Sequence, residues 1–497
     1  MEDSTINLHE SARPLSERLY VSAKNNAQKV AVEDSGGRWI LTYNQLLHKA
    51  DIFLQTISQV TNRPVVLNMT KSAAYFGAVA SCFINRISFC PVDLVNPIER
   101  VWEIASQFPS CIVVTDENER HATLKMRGVD SILIDSDGFK LESNIREKSS
   151  SSRANERRPC YYIATSGSTG KPKLVKVPHQ NTTDFVDWAV AFYDVNNETR
   201  WAQFSSIGFD LSLVDILTVL IGGGTLIALS SKLDRIRPAR IIHNSRITHW
   251  HSVPSVIPYL LAEGKSIQQQ SPVRLFTFCG EPLAKVDVVR LREQYPSSRI
   301  INTYGPTEGT LFCSFFECKD FDSGHTTETV SIGEPIPGWY FVYLDELDVS
   351  RLIILSNNIA DGYVGEDSPN FASIDIFGTP IRAFDTGDYF SRIDSLVYFS
   401  HRRDRMVKIS GNRVDLGEVE AAAKQVGIIN PVALFESGTL IVVGEGEPQS
   451  VADRREALSR LLPPYSVPAT ILFSRVHPRT PNGKIDRSAI RKEWFPM

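Results

Sequence analysis

Up to about residue 400, short apolar runs alternate with longer amphipathic segments, the texture of an α/β protein with buried strands. Val65-Val66-Leu67-Asn68-Met69, Cys111-Ile112-Val113-Val114 and Ile132-Leu133-Ile134 read as such strands. Ala73 to Ile84 and Pro97 to Gln107 read as the helices between them, with Asn96 as the cap and Pro97 as the first helical residue of the second. Ser149-Ser150-Ser151-Ser152 reads as a polar, solvated loop. Leu396-Val397-Tyr398-Phe399 reads as a strand, and the charged run His401-Arg402-Arg403-Asp404-Arg405 follows it. Beyond that run lie an amphipathic segment, Glu418 to Gln425, an apolar strand, Leu440 to Val443, and a Pro-rich tail. The pattern predicts a large α/β domain of layered sheets and helices over residues 1–403 and a small α+β domain over 404–497.

Bulk properties sharpen this picture only in places. A chain of 497 residues exceeds the size at which one core stops growing, in keeping with two domains. With 53 basic and 57 acidic residues the net charge is −4, which gives no reason to expect nucleic acid or an anionic membrane as partner. No apolar run approaches the ~20 residues needed to cross a bilayer. The seven cysteines form no C-x-x-C pair and several sit in apolar runs, so neither a disulfide framework nor a zinc site is expected. The polar start, Met1-Glu2-Asp3-Ser4, lacks a signal-peptide profile. A cytoplasmic monomer is the expectation.

The chemistry-bearing segments are loops. Tyr162-Ile163-Ala164-Thr165-Ser166-Gly167-Ser168-Thr169-Gly170-Lys171-Pro172-Lys173 sets a β-prone run against hydroxyls, glycines and two lysines. Such a loop can aim several N–H groups at one point, an arrangement suited to a nucleotide polyphosphate, although the Walker A spacing is absent. A flexible Ser/Gly linker is the plainer reading. In Ile207-Gly208-Phe209-Asp210-Leu211-Ser212, Asp210 is either a helix cap, the commoner case, or a buried charge awaiting a cation. Asn302-Thr303-Tyr304-Gly305-Pro306-Thr307-Glu308 places an aromatic face, a turn, a hydroxyl and a carboxylate together, fit for a purine and Mg²⁺. Phe384-Asp385-Thr386-Gly387-Asp388 ends in a carboxylate able to accept from two ribose hydroxyls, and Pro478 to Asp486 presents Lys484 on a stiff turn. Each alone is weak, since turns of this composition are common.

In this order and spacing, from Leu41-Thr42-Tyr43 to Lys484, the motifs resemble those of the adenylate-forming superfamily. The resemblance is to the amino-acid adenylation domains of nonribosomal peptide synthesis and to D-alanine–carrier protein ligases. It implies that Thr165, Ser166, Gly167, Ser168, Thr169 and Lys173 surround the β- and γ-phosphates of ATP. Gly280 and Glu281 would border the adenine, Asn302 and Thr303 would lead to Tyr304 stacked on it, and Thr307 would bind the α-phosphate. Glu308 would ligate Mg²⁺, Asp388 would hold the ribose, and Arg402 would lie near ribose and phosphate. Lys484 would bridge the substrate carboxylate and the α-phosphate, which makes chemical sense because two anions must meet there. The resemblance further implies a mobile small domain turning about Asp404 after adenylation, so that the face with Lys408, Ile409, Ser410 and Gly411 serves thioester formation. A merely solvated charge run is the alternative for His401 to Arg405.

By the same resemblance, Asp210 pairs with an α-amino group, and Leu211, Val214, His251, Thr277, Cys279, Thr303, Leu311 and Phe312 line the side-chain pocket. The lining is mostly apolar with no full charge opposite the side chain, which points to a small or medium neutral amino acid. His251 either orients a hydroxyl or is simply packed, and Phe312 is bulky for a dedicated alanine site. Leu174, Asp385 and His401 depart from residues usual in the family, and the strand around Leu352-Ile353-Ile354 lacks a preceding Gly-Glu. The implied activity is formation of aminoacyl-AMP from ATP, then transfer to the phosphopantetheine thiol of a carrier protein. No carrier-type Asp-Ser-Leu or Gly-Gly-x-Ser site follows Lys484, so the expectation is a freestanding enzyme serving a separate carrier in trans, or else an excised domain. Transfer to coenzyme A or an amine, or a carrier-docking homologue without catalysis, are the alternatives.

Overall fold

The buried apolar runs become the inner strands of two sheets in the computed structural model, which describes residues 14–60, 62–145, 158–166, 171–262, 271–319, 327–346, 349–376, 378–403, 405–447, 450–479 and 485–495. Among these residues, seven strands form one sheet in the order 140–143, 131–134, 112–115, 65–68, 89–91, 159–165, 173–178. Its inner strands are parallel and buried on both faces, which is why they read as continuous apolar runs rather than alternating ones. Nine strands form a second sheet, in the order 334–335, 314–317, 299–304, 275–279, 249–252, 200–203, 225–228, 30–34, 40–42, parallel through its middle and antiparallel at both edges. A five-stranded antiparallel sheet follows, built on the long strand Thr379–Ile393. This is the α/β architecture expected, with a smaller α+β part after it.

The helix Ala73–Ile84 forms over the residues the pattern marks, capped by the Ser72 side chain. The next helix is Ile98–Ser106, one residue shorter at each end than expected. The carbonyl of Pro97 accepts the N–H groups of Arg100 and Val101, so Pro97 precedes the helix instead of opening it. The strand expected at Leu396–Phe399 runs on to Arg402, absorbing the first part of the charged run. Ser149 to Ser152 lie outside the described residues.

By contact density the chain separates into two units. One comprises Met1–Asp93, Gln107–Ala164 and Leu174–Arg403; the other comprises Leu94–Ser106, Thr165–Lys173 and Asp404–Met497. In the second, the strands Val432–Glu436, Thr439–Glu445 and Thr470–Ser474 carry the helices Leu416–Gln425 and Val451–Ser459 over a core that includes Val419, Ala423, Val442 and Leu458. Also inside this unit, Arg100 forms a buried ion pair with Glu418. All seven cysteines are buried and free. Among the described residues no helix is long and apolar enough to cross a membrane.

Candidate active site

The carboxyl ends of parallel strands are where open α/β sheets place ligands, and the motif residues of the larger unit gather there. After the strand Arg200–Gln203 a short loop leads into the helix Asp210–Gly222. Phe209 occupies the cap position and Asp210 is the first helical residue, so the capping reading of Asp210 does not hold. Its carboxylate accepts the N–H of Leu211 at 2.9 Å and bonds the side chain of Thr307. Burial pushes the Asp210 carboxyl up to about 6; the bonds from Thr307 and Leu211 oppose that shift, and the charge of Glu308 adds to it. Among the described residues Asp210 has no cationic partner.

Glu308 sits in the tight turn Thr307–Gly309, is 1% exposed, and accepts from the Tyr363 hydroxyl at 2.7 Å. Tyr304 ends the strand Arg299–Tyr304 with its ring edge-on to Phe390 at 5.3 Å, and its hydroxyl donates to Asp388 Oδ2 at 2.6 Å. Arg402 donates to the other oxygen of Asp388, because the two residues are register partners on neighbouring strands. A carboxylate has about four acceptor sites, so these bonds leave capacity for hydroxyl donors. Gly305 passes so close to the following segment that a Cβ there would lie 2.4 Å from Phe312 Cα. Gly280, with φ +93°, turns the chain after the strand Leu275–Cys279, and Glu281 accepts the N–H of Ser255 at 3.0 Å.

His251, Thr277, Cys279 and Thr303 share one face of the nine-stranded sheet. His251 pairs with Thr277 and Cys279 with Thr303 in the parallel register, and Thr277 and Cys279 are two apart on one strand. The helix carrying Leu211 and Val214 covers that face: its Asp215 accepts from Trp201 Nε1 at 2.9 Å and lies 2.8 Å from His251 Nδ1. The residues implied for the side-chain pocket carry no full charge themselves; the Asp215 carboxylate lies behind one of them, His251. Phe312 packs edge-on against Phe185 at 4.7 Å and Trp188 at 5.7 Å, and its ring lies 6.5 Å from His251. Thr310 and Leu311, at φ +52° and +77°, adopt a backbone costly for branched and bulky residues. Buried bonds hold Thr310 there, from its hydroxyl to the Asn358 carbonyl at 2.7 Å and from Asn181 Nδ2 at 3.0 Å.

In the smaller unit, the Thr165 hydroxyl donates to the Lys173 carbonyl at 3.4 Å and the Ser166 hydroxyl to the Arg413 carbonyl at 2.6 Å, tying down both ends of the Ser/Gly loop. Lys408 lies on the strand Met406–Ile409, whose return strand begins at Asn412. Ser410 and Gly411 make the two-residue turn between them, both with positive φ, the geometry that favours glycine in a tight hairpin. Gly167, Ser168, Thr169, Asp404 and Lys484 lie outside the described residues.

The profile of a family described as AMP-binding enzyme matches residues 19–364, well over half the chain. The chain belongs to the AMP-binding enzyme family. It is similar over nearly its whole length to D-alanine--D-alanyl carrier protein ligase of Listeria innocua, 26% identical over 506 residues that cover 96% of this chain and 98% of the relative. Its fold matches that of the Vibrio cholerae adenylation domain AlmE, solved with glycyl-adenosine-5'-phosphate. The TM-score is 0.79 at 20% identity, covering 100% of this chain and 99% of the other. It also matches holo-PA1221, an NRPS protein containing adenylation and PCP domains, with a TM-score of 0.77 at 22% identity, covering 97% and 84%.

Against this AMP-binding framework the departures find local reasons. Asp385 sits between Arg351 and Arg403 and bonds both. His401 stacks on Tyr389 with ring centres 4.7 Å apart. Leu174 is fully buried in the strand Lys173–Pro178. Several supporting residues carry no local signal in the sequence: Asp215, Trp201, Tyr363 and Asn181 meet their partners only through packing of distant segments. Lys71 is another, its ammonium bonded to the carbonyls of Gln203, Ser205 and Leu229 at 3.1–3.3 Å, with burial pulling its pKa down to about 7.

Proposed function

We propose that this AMP-binding enzyme activates a small or medium neutral amino acid with ATP, releasing pyrophosphate, and passes the aminoacyl group to the phosphopantetheine thiol of a separate carrier protein. The observation that carries the reading is Asp210: a buried carboxylate at the substrate end of its helix, without a cation among the described residues. A buried charge needs a partner, and the α-ammonium of an amino acid supplies one. Fatty and aryl acids do not. The names of the curated relatives point the same way.

Within that reading, Tyr304 stacks on the adenine between Gly280–Glu281 and the strand ends Asn302 and Thr303. Asp388 accepts from the ribose hydroxyls with Arg402 beside it. Thr165 to Thr169 and Lys173 embrace the terminal phosphates, and Thr307 holds the α-phosphate. Lys484 neutralises the meeting of carboxylate and phosphate. Glu308 offers the hard oxygen donor that Mg²⁺ prefers, and no group of three or more His, Cys, Asp or Glu that could hold a metal occurs among the described residues. The residues therefore fit a metal shared with phosphates and water more than a protein cage. When bound, Mg²⁺ would neutralise phosphate charge. We propose further that the Asp404–Met497 part acts as a lid turning about Asp404, bringing Lys408 and Gly411 into use for thioester formation, in a cytoplasmic monomer.

The acceptor is tested by incubating the enzyme with ATP, its amino acid and a carrier protein in holo and apo forms, followed by intact mass. A gain of one aminoacyl residue on the holo form alone is expected. Transfer to free coenzyme A with the holo carrier untouched would contradict the carrier assignment.

A further inference from the structure

Two residues of the seven-stranded sheet reach across to the nine-stranded one. Lys71 lies just past the strand Val65–Asn68 and Asp93 just past Phe89–Pro91, at the carboxyl ends of two paired parallel strands. The Lys71 ammonium donates to the carbonyls of Gln203 at 3.2 Å, Ser205 at 3.1 Å and Leu229 at 3.3 Å. Gln203 ends the strand Arg200–Gln203, and Leu229 follows its parallel neighbour Thr225–Ala228, so both lie at the carboxyl end of the other sheet. An ammonium has three protons to donate, one for each carbonyl.

Two of these bonds would suffice to tie the sheets together. The third, to Ser205, falls in the segment 204–209, which joins Gln203 to Asp210 and belongs to no helix or strand. That segment is gripped from outside. The Ser205 carbonyl accepts from Lys71 and also from Gln203 Nε2 at 2.8 Å, and the Ser206 hydroxyl donates to Asp93 Oδ2. Ser206 passes the constraint on, because its carbonyl accepts the N–H of Phe209 at 3.1 Å. The Phe209 carbonyl in turn accepts the Ser212 hydroxyl at 2.7 Å, in the first turn of the helix. Asp210 lies between Phe209 and Ser212, so its place follows from where Ser205 and Ser206 are held.

The geometry points to Lys71, together with the Asp93–Ser206 bond, as a positioning device that sets the Asp210 carboxylate against the substrate ammonium. Neither residue belongs to the motifs that carry the proposed chemistry. A carboxylate displaced by about 1 Å loses roughly 100-fold in effect on the group it orients. This rests on the amino acid activation proposed above and adds the residues that hold its anchor in place.

The test compares two probes by calorimetry: the sulfamoyl-adenosine analogue of the amino acid used best in pyrophosphate–ATP exchange, and the same analogue without its amino group. The unaltered enzyme should prefer the amino form. Lys71→Met should weaken the amino form roughly 10- to 100-fold and leave the des-amino form unchanged, because only the first meets Asp210. Lys71→Gln and Ser206→Ala, milder losses of the same bonds, should show the same selective weakening to a smaller degree, and they serve if Lys71→Met does not fold. A merely structural lysine would weaken both probes alike. Equal weakening of both forms in the Lys71 variants, or none, would overturn the inference while leaving amino acid activation standing. Equal binding of both forms by the unaltered enzyme, or exchange with no amino acid at all, would overturn the proposed function and this inference with it.

Discussion

Asp210 shows how a residue's chemistry is set by what surrounds it. Its type and position in an apolar run made it conspicuous, but a cap and a buried charge read alike in sequence; only packing decides, and packing places it inside the helix beside Thr307 and Glu308. Burial raises its carboxyl from the usual 3.8 to about 6. An ammonium substrate needs the ionised form, so kcat/KM for the amino acid should climb with pH up to about 6 and level off above, as measured by exchange across pH 5–8. The effect on folding has the opposite sign. This carboxyl favours the fold fully below 3.8, and that contribution is lost as pH rises through about 6. Asp210→Ala should abolish activation of the same amino acid, since the ammonium loses its counter-charge; activation that persists would refute the contact. The partners of His251 were illegible for a different reason. Asp215 is one more residue in an apolar helix until the sheet register brings His251 beneath it.

At the level of elements, much could be read in advance. Buried parallel strands and the helix Ala73–Ile84 announce themselves as unbroken apolar runs, and where boundaries differ, local bonding accounts for it, as at Pro97. The segment from Tyr304 to Phe312 is legible as a motif but not as a shape. Its glycine is required by the close passage of Phe312, and the positive φ of Thr310 and Leu311 contradicts their own preferences, so no propensity argument finds it. Bonds to Asn181 and Asn358 hold the strained Thr310, and these come from segments far away in sequence. Gly305→Ala should therefore force the turn and the Phe312 backbone apart. A loss of ~1–3 kcal/mol in urea unfolding is expected, with kcat/KM falling more than stability alone explains. Unchanged stability would mean that the close approach is not present in solution.

For the whole molecule, the order of motifs along the chain carried more information than any one of them. Motifs with unremarkable turn chemistry, set at the right intervals, are brought together by the fold. Asp210 meets Thr307 and Glu308 beyond strand ends. Tyr304, at a strand end, meets Asp388 and Arg402, which lie within the strands Thr379–Ile393 and Leu396–Arg402 and not in the loops expected of that motif. Removing the charge of Lys484 tests the shared chemistry. Lys484→Ala should slow adenylation roughly 10²–10³-fold, the usual effect of deleting one charge-stabilising donor, with ATP binding little altered. The most direct measurement of the central claim is pyrophosphate–ATP exchange by the unaltered protein over a panel of L-, D- and β-amino acids, with aryl and fatty acids included. Strong exchange with one or a few neutral amino acids, and none with the acids that lack an ammonium, is the predicted result. Exchange driven by an aryl or fatty acid, or silence across the panel with ATP still bound, would contradict it.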